Sequence, residues 1–241
     1  MSRVRRSFRP PAVTRRHAGG FTLIELLIVL ALISLLVTIV VPSIGAALES
    51  GRRTKCLSNL RQLFLACSMY ASEHQGVGPA IGFPWSAMPN WAVVVRAYGT
   101  RNALTPRKAF VRNTVLICPT IDRVYAETMT RTYAVNVTGH AGQPGDPDSY
   151  DDREVLAHIR FDRVKRPSET PAFFDAARTP IEGDAPPPPR TASVLDFRRE
   201  AHVANRLGRF HEKRRAFNAV AFDGSARPYK RIPPSWRDPL P

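Results

Sequence analysis

The chain has 241 residues and a formal net charge of +15, from 35 lysines and arginines against 20 acidic residues. Once an apolar span near the N-terminus is set aside, roughly 200 residues remain, enough for one extended helix and one modest domain. The 22 prolines and scattered arginines indicate a solvated surface rather than a binding groove. We therefore do not expect specific nucleic-acid binding.

Residues 1–20 form a basic leader that holds six arginines and no acidic residue. The next 21 residues, 21–41, are apolar apart from Thr22, Glu25, Ser34 and Thr38. As a helix rising about 1.5 Å per residue, this run spans roughly 30 Å, the thickness of a bilayer's hydrocarbon core. The arginines predict a cytoplasmic N-terminus, with the rest of the chain crossing the membrane.

Glu25 is the anomaly in this run. An ionisable side chain at membrane depth costs several kcal/mol unless it is paired, so the pattern indicates a functional carboxylate.

A basic leader ending in Gly20, followed by Phe21-Thr-Leu-Ile-Glu25 and an apolar run, resembles the class III signal of type IV pilins and type II secretion pseudopilins. The resemblance implies that a prepilin peptidase cleaves between Gly20 and Phe21 and methylates the new Phe21 amine. Glu25 could then neutralise the amine of an adjacent subunit, because two buried charges that are costly singly are tolerable as a pair. Pro42 stands where such pilins often carry a proline that distorts the helix, and it removes one backbone donor.

Three other interpretations of this segment were weighed. A secretory signal peptide has an apolar core of about 7 to 15 residues and a small-residue cleavage site, and residues 45–47 match such a site only fairly. A plain signal anchor explains the length and the arginines but not Gly-Phe-Thr-Leu-Ile-Glu. A buried core helix would not need the arginine leader.

The helical pattern continues beyond Pro42 as an amphipathic segment, residues 43–75. One apolar stripe, at spacings of three or four residues, consists of Leu57, Leu60, Leu63, Phe64, Cys67 and Tyr70. The helix is expected to run to about Glu73 and to end near Gly76. Its stripe should pack against a globular head.

The head, residues 76–226, alternates short apolar runs with Pro, Gly, Asn and Asp, a texture of strands and loops. Candidate strands are residues 115–118, 132–137, 172–175 and 218–223. Residues 139–152 form a loop, and prolines 186–189 predict an exposed polyproline segment. The proline-rich tail, 227–241, is expected to pack loosely. The fold class is therefore α+β, a long N-terminal helix packed on a small antiparallel sheet.

A second resemblance covers nearly the whole chain. It rests on Arg52-Arg53, Cys56, Asn59-Leu60-Arg61-Gln62-Leu63, Cys118-Pro119, Thr132-Tyr133, Asn136, Arg166-Pro167-Ser168 and Asp175, in that order. This set resembles the pseudopilin-like proteins abundant in planctomycete-type bacteria.

That group ends with a His, about nine residues, then Asp-Gly. Here eleven residues separate His211 from Asp223-Gly224, and Asn218 stands where the motif's own Asn falls. We interpret the surplus, within residues 212–217, as a longer hairpin turn. The departure leaves the role of His211 open, and the simplest interpretation puts His211 on a loop before a strand that ends in an Asp-Gly turn.

Helix geometry limits which of the three cysteines can form a disulfide bond with each other. Cys56 and Cys67 would lie roughly 16 Å apart on one helix, beyond disulfide reach, so an intramolecular bridge must join one of them to Cys118. Such a bridge is plausible outside the cytoplasm. Cys56 matches the family position, which favours Cys56 with Cys118 and leaves Cys67 buried. Three free, buried cysteines are the alternative.

Metal binding and catalysis have weak signals. Some major pseudopilins hold calcium in a head loop, and Asp146, Asp148, Asp151 and Asp152 could supply oxygen ligands, but their spacing is not that of an EF-hand. We assign no metal ligand and expect no cofactor.

The chain lacks a nucleophile elbow, a phosphate-binding Gly-rich loop and a metalloprotease helix motif, so we do not expect it to be an enzyme. A tethered hydrolase is the alternative.

The sequence thus predicts a structural pilin or pseudopilin subunit. It would wait in the inner membrane, with its head outside the cytoplasm, and then assemble with other subunits into a type IV pilus-like or type II secretion filament. Loss of the leader would lower the formal charge to +9, because six arginines leave with it. Two alternatives stay open: a DNA-uptake or adhesion filament with a basic head, and a non-assembling membrane-anchored domain.

Overall fold

A computed structural model describes residues 22–81, 88–99, 115–125, 129–140, 158–178 and 191–241. The chain divides into two compact units, Met1–Ala46 and Ala47–Pro241. The cleavage pair Gly20 and Phe21, the four aspartates of the predicted acidic loop and the proline run 186–189 lie outside the described residues.

The first helix, α1, covers Leu23–Glu73. Its N-terminal part is long and apolar enough to cross a membrane, and large apolar side chains such as Leu27 and Leu36 are exposed along it. Ser34 and Thr38 donate their hydroxyls to the carbonyls four residues earlier, so these polar groups are satisfied within the helix. The helix continues through position 42. The local distortion expected from Pro42 stays a prediction.

The part of α1 that belongs to the second unit buries the predicted stripe. Cys56, Leu60, Leu63 and Cys67 are fully buried, and Tyr70 nearly so. The end of the helix also agrees with the sequence. Past Glu73, the Gly76 N–H donates to the Ala71 carbonyl at 2.8 Å, and Gln75 adopts a left-handed φ of 56°. This arrangement closes the last turn and satisfies a terminal carbonyl.

The head contains a five-stranded sheet of order β5-β2-β4-β6-β7 and a two-stranded sheet of β1 and β3. The strands are β1 Val77–Ala80, β2 Tyr133–Asn136, β3 His158–Arg160, β4 Pro171–Asp175, β5 Val194–Leu195, β6 Phe217–Ala221 and β7 Ala226–Tyr229. The short strand β5 runs parallel to β2, whereas the other pairs are antiparallel. The α+β fold with a small, mainly antiparallel sheet is as predicted, and the short parallel strand β5 makes the larger sheet mixed.

Three short helices lie in the described part of the head, although its sequence texture predicted strands and loops. They are α2 Trp91–Gly99, α3 Pro119–Tyr125 and α4 Glu200–Arg206, and two 3-10 turns cover Phe161–Arg163 and Pro234–Arg237. The signal for α2 is Asn90, whose side chain accepts the Ala92 N–H at 3.0 Å and so caps the helix.

The strand predicted over residues 115–118 is wrong. Leu116 accepts a hydrogen bond from the Thr132 N–H at 2.9 Å, and Cys118 donates its N–H to the Thr132 hydroxyl at 2.6 Å. Because both bonds go to one residue, no ladder forms. Pro119 then begins α3, where its missing N–H carries no penalty.

The sheet separates two apolar clusters because strand side chains alternate between its faces. The larger cluster joins Tyr133, Val135, Phe173 and Val220 to the buried stripe of α1. The smaller one contains Ala134, Phe174, Phe197, Phe217, Ala219 and Trp236.

The loose packing predicted for residues 227–241 is wrong. Trp236 is only 1% exposed and contacts the rings of Phe197, Phe217 and Tyr229. Leu240 donates its N–H to the Thr138 carbonyl at 2.8 Å. The tail is anchored because the large aromatic side chain of Trp236 is buried among other rings.

Candidate functional sites

The start of α1 carries a reciprocal pair of hydrogen bonds between Thr22 and Glu25. The Thr22 N–H donates to Glu25 Oε2 at 2.8 Å, and the Glu25 N–H donates to the Thr22 hydroxyl oxygen at 3.3 Å. The Thr22 hydroxyl also donates to Glu25 Oε2 at 2.8 Å. This pattern is a capping box, which satisfies two backbone donors that have no partner inside the helix.

The capping box gives Glu25 a role within its own chain. The carboxylate sits in the first turn, where the positive end of the helix dipole favours an anion. Its expected intermolecular partner, the amine of Phe21, lies outside the described residues. The Thr-x-x-Glu spacing was visible in the sequence and was a sufficient signal for the box.

In the head, several motif residues that are distant in sequence meet in one buried centre. Cys56 comes from α1, Cys118 from the segment before α3, Asp175 from the end of β4, and Asn218 from β6; the fifth member is His211. All five are fully buried. We call this set the buried centre.

A disulfide bond joins Cys56 to Cys118, the pair favoured by the sequence. The alternative of three free cysteines is wrong. The Tyr133 hydroxyl donates to the Cys56 carbonyl at 3.3 Å, which ties β2 to the same turn of α1. Cys67 is a free, buried thiol, and burial raises its pKa well above the ordinary thiol value.

His211 forms a buried ion pair with Asp175, with His211 Nε2 and Asp175 Oδ2 3.2 Å apart. The Asn218 N–H donates to the same carboxylate oxygen at 2.6 Å. Burial alone would lower the pKa of His211, but the Asp175 carboxylate outweighs it and the pKa is raised. Burial raises the pKa of Asp175, against the opposing effect of His211 and the Asn218 N–H.

Two further groups face the imidazole. Cys118 Sγ lies 3.6 Å from His211 Nε2, and Glu49 Oε1 lies 3.7 Å from His211 Nδ1. Four buried polar atoms of the centre have no hydrogen-bond partner among the described residues: Asp175 Oδ1, His211 Nδ1, and the side-chain oxygen and nitrogen of Asn218. Polar atoms that are buried and unpartnered are rare in folded proteins, so the centre has spare ligand capacity.

His211 lies before β6, as the loop interpretation expected, but its burial was not foreseen. His211 lies outside the regular strands, but it is fully buried and forms an isolated bridge with Ala216. Sequence spacing could not reveal this, because the partners of His211 come from distant segments.

The surplus residues between His211 and β6 form a tight turn, as predicted. His211 and Ala216 exchange backbone hydrogen bonds of 3.0 Å, and Glu212, Lys213 and Arg214 have φ of 48°, 58° and 64°. Glu212 contacts Arg53 of α1 at 2.8 Å and Lys230 at 3.0 Å. The turn therefore connects α1 to the chain that follows β7.

Asp223 and Gly224 form the turn between β6 and β7 and do not belong to the buried centre. Asp223 Oδ1 accepts the Ser225 N–H at 2.8 Å, and Gly224 has a left-handed φ of 82°. This part of the C-terminal motif therefore serves to form the turn, since glycine adopts such a φ without steric cost.

Two family models match the chain. One, described as a prokaryotic N-terminal methylation motif, matches residues 15–41, which include Gly20, Phe21 and Glu25. The other, described as a protein of unknown function (DUF1559), matches residues 45–225, which include every member of the buried centre. No curated protein and no solved structure gives a match.

Proposed function

Because this chain belongs to the DUF1559 family of planctomycete-type, pilin-like proteins, we propose that it is a pilin or pseudopilin subunit that a prepilin peptidase cleaves between Gly20 and Phe21 and then methylates. The observation that carries the proposal is the methylation motif over residues 15–41, which contains the start of an apolar helix with Glu25 in its first turn. The chemistry we propose is performed on this chain by another enzyme; we propose no enzymatic activity of its own.

We propose that the apolar part of α1 first anchors the subunit in the inner membrane and later packs against its neighbours in the core of a filament. The exposed apolar side chains along this part, such as Leu27 and Leu36, support both roles. In the membrane the capping box would satisfy most of the hydrogen-bonding capacity of Glu25. In the filament the Phe21 amine of a neighbour would add the opposite charge.

The head would form the outside of the filament. Its disulfide joins α1 to the segment before α3, and its buried ion pair joins β4 to the segment before β6. Such internal links suit a surface domain that must keep its shape outside the cell.

The test is substitution of Glu25 in the native host. We expect Glu25→Leu to insert into the membrane normally, because the apolar run becomes longer, yet to be lost from the filament fraction recovered by shearing. Ser34→Ala is the matched control, since Ser34 is a polar residue of the same helix whose hydroxyl is satisfied by the Leu30 carbonyl. Assembly of Glu25→Leu at the wild-type level would contradict the role given to the carboxylate. Absence of the wild-type chain from any sheared filament would favour a simple membrane anchor.

A further inference from the structure

The buried centre brings two sulfur atoms and one imidazole nitrogen together. The ligand atoms of Cys56, Cys118 and His211 all lie within 4.8 Å of one another, and all three residues are fully buried. We propose that the dithiol form of this centre is a binding site for a zinc-type divalent cation, held by the two cysteine sulfurs and His211 Nε2, with Asp175 beside them. This inference is independent of filament assembly.

The spacing of the donor atoms agrees with tetrahedral zinc. Zinc bonds of about 2.3 Å to sulfur and about 2.0–2.1 Å to nitrogen or oxygen place a neighbouring sulfur and nitrogen roughly 3.6 Å apart, and a nitrogen and oxygen roughly 3.3 Å apart. Cys118 Sγ lies 3.6 Å from His211 Nε2, and Asp175 Oδ2 lies 3.2 Å from the same nitrogen. Two of the three distances among Cys118 Sγ, His211 Nε2 and Asp175 Oδ2 are therefore already suitable, whereas Cys56 Sγ reaches its own corner only when the disulfide is reduced.

The surroundings of His211 also suit a metal ligand. A histidine that binds a metal through one ring nitrogen usually directs its other N–H towards a carboxylate or carbonyl. His211 Nδ1 lies 3.7 Å from Glu49 Oε1 and has no hydrogen-bond partner among the described residues. Glu49 is therefore placed to orient the imidazole with Nε2 facing the two sulfurs.

Asp175 offers charge and a free lone pair. One of its oxygens accepts the Asn218 N–H, while Oδ1 has no partner among the described residues although the side chain is fully buried. Two thiolates added next to this carboxylate would concentrate negative charge away from water, which is costly. A divalent cation removes that cost, which is why we assign a metal to the dithiol form.

The dithiol form arises only when the disulfide between Cys56 and Cys118 is reduced. A dithiol reductant transfers two electrons to the Cys56–Cys118 bond, so the S–S bond breaks and two thiols form while the reductant closes its own disulfide. Binding of the cation then displaces to water one proton from each thiol and the proton that His211 Nε2 shares with Asp175. In the disulfide form each sulfur is bonded to the other, so the cation has no thiolate ligands there.

The experiment uses the full processed chain in detergent. The protein is reduced with a phosphine, the reductant is removed without air, and Co²⁺ alone is added as a spectroscopic probe, followed by Zn²⁺ in competition. We expect one Co²⁺ per chain, a thiolate-to-cobalt charge-transfer band, the intense visible bands of tetrahedral cobalt, and loss of all of them on adding Zn²⁺. Oxidised protein should give none of these bands.

Variants separate this site from other thiols. Cys67→Ala is the matched control and should keep the full signal, because Cys67 lies three turns along α1 from Cys56. Cys118→Ser should remove the contribution of the Cys118 thiolate to the charge-transfer band and weaken Zn²⁺ binding at least tenfold. His211→Gln should weaken Zn²⁺ binding by about tenfold to a hundredfold. Far-UV circular dichroism of each reduced variant checks folding, and the comparison of oxidised with reduced wild type and Cys67→Ala decides the question if both ligand variants unfold. Absence of a thiolate band in reduced wild type, or a band that depends on Cys67 alone, would overturn the proposal.

Discussion

His211 Nε2 lies 3.2 Å from Asp175 Oδ2, and neither side chain is exposed to solvent. The two residues belong to different parts of the head, the end of β4 and the segment before β6. A charge pair in such a place is costly to form, but once it has formed, removal of one partner leaves the other charge buried and uncompensated.

We therefore expect Asp175→Asn and His211→Gln each to lower the free energy of unfolding of the oxidised protein by about 3–5 kcal/mol. The double variant should lose clearly less than the sum, because it leaves no unpaired charge. Urea unfolding of all four proteins measures this coupling. Asp162→Asn is the control, since Asp162 pairs with Arg160 at the surface, where water screens the pair, and its loss should leave stability almost unchanged. Additive losses from the two single variants would show that the buried groups act separately.

The disulfide should stabilise the head through the loop it closes. Cys56 and Cys118 are 62 residues apart in sequence, and a loop of that size corresponds to about 4 kcal/mol in the chain-entropy model. Wild type and Cys67→Ala should both lose stability when a reductant is added. Without reductant, Cys56→Ser and Cys118→Ser should already have the lower free energy of unfolding of the reduced protein, and adding reductant should not change it. A reductant-sensitive Cys118→Ser protein would reveal a different pairing.

The turn between His211 and Ala216 contains three successive non-glycine residues in the left-handed region. In this region each non-glycine residue costs about 1 kcal/mol of strain, which glycine would avoid. Glycine offsets part of this gain because it adds conformational entropy to the unfolded chain. We expect Lys213→Gly to raise the free energy of unfolding by about 0.5 kcal/mol, since the Lys213 side chain is exposed. Arg215→Gly is the neighbouring control; Arg215 lacks a left-handed φ, so that substitution should destabilise. Equal effects of the two substitutions would contradict the turn geometry.

The capping box at the start of α1 predicts a difference between two substitutions at Thr22. Thr22→Val removes the hydroxyl and should cost about 1 kcal/mol at the first turn, whereas Thr22→Ser keeps the hydroxyl and should cost little. Hydrogen exchange of the first-turn amides in bilayer-reconstituted protein should accelerate by about fivefold in Thr22→Val alone. Identical exchange in the two variants would mean that Thr22 does not cap the helix.

The elements that could be predicted from sequence are those set by local patterns. The stripe from Leu57 to Tyr70, the helix end at Glu73 and the Asp223-Gly224 turn all follow from spacing and turn chemistry between near neighbours. The Thr22–Glu25 box is equally local, but the carboxylate was interpreted only as an intermolecular group.

The remaining features depend on contacts between distant segments. The β-branched run that follows Trp91 suits a strand as well as a helix, so this run alone does not predict α2. The structure shows that Asn90 caps the helix. Trp236 is buried only because Phe197 and Phe217 form its pocket. Likewise, no spacing rule could place Asp175 against His211, because the sheet topology brings them together.

Mass spectrometry of the mature N-terminus tests the proposed function most directly. The sequence motif over residues 15–41 leads us to expect a chain that begins at Phe21 and carries one additional methyl group on its amine. A chain that retains its arginine-rich leader, or one that begins near Ala47 after removal of an ordinary signal peptide, would contradict the proposal.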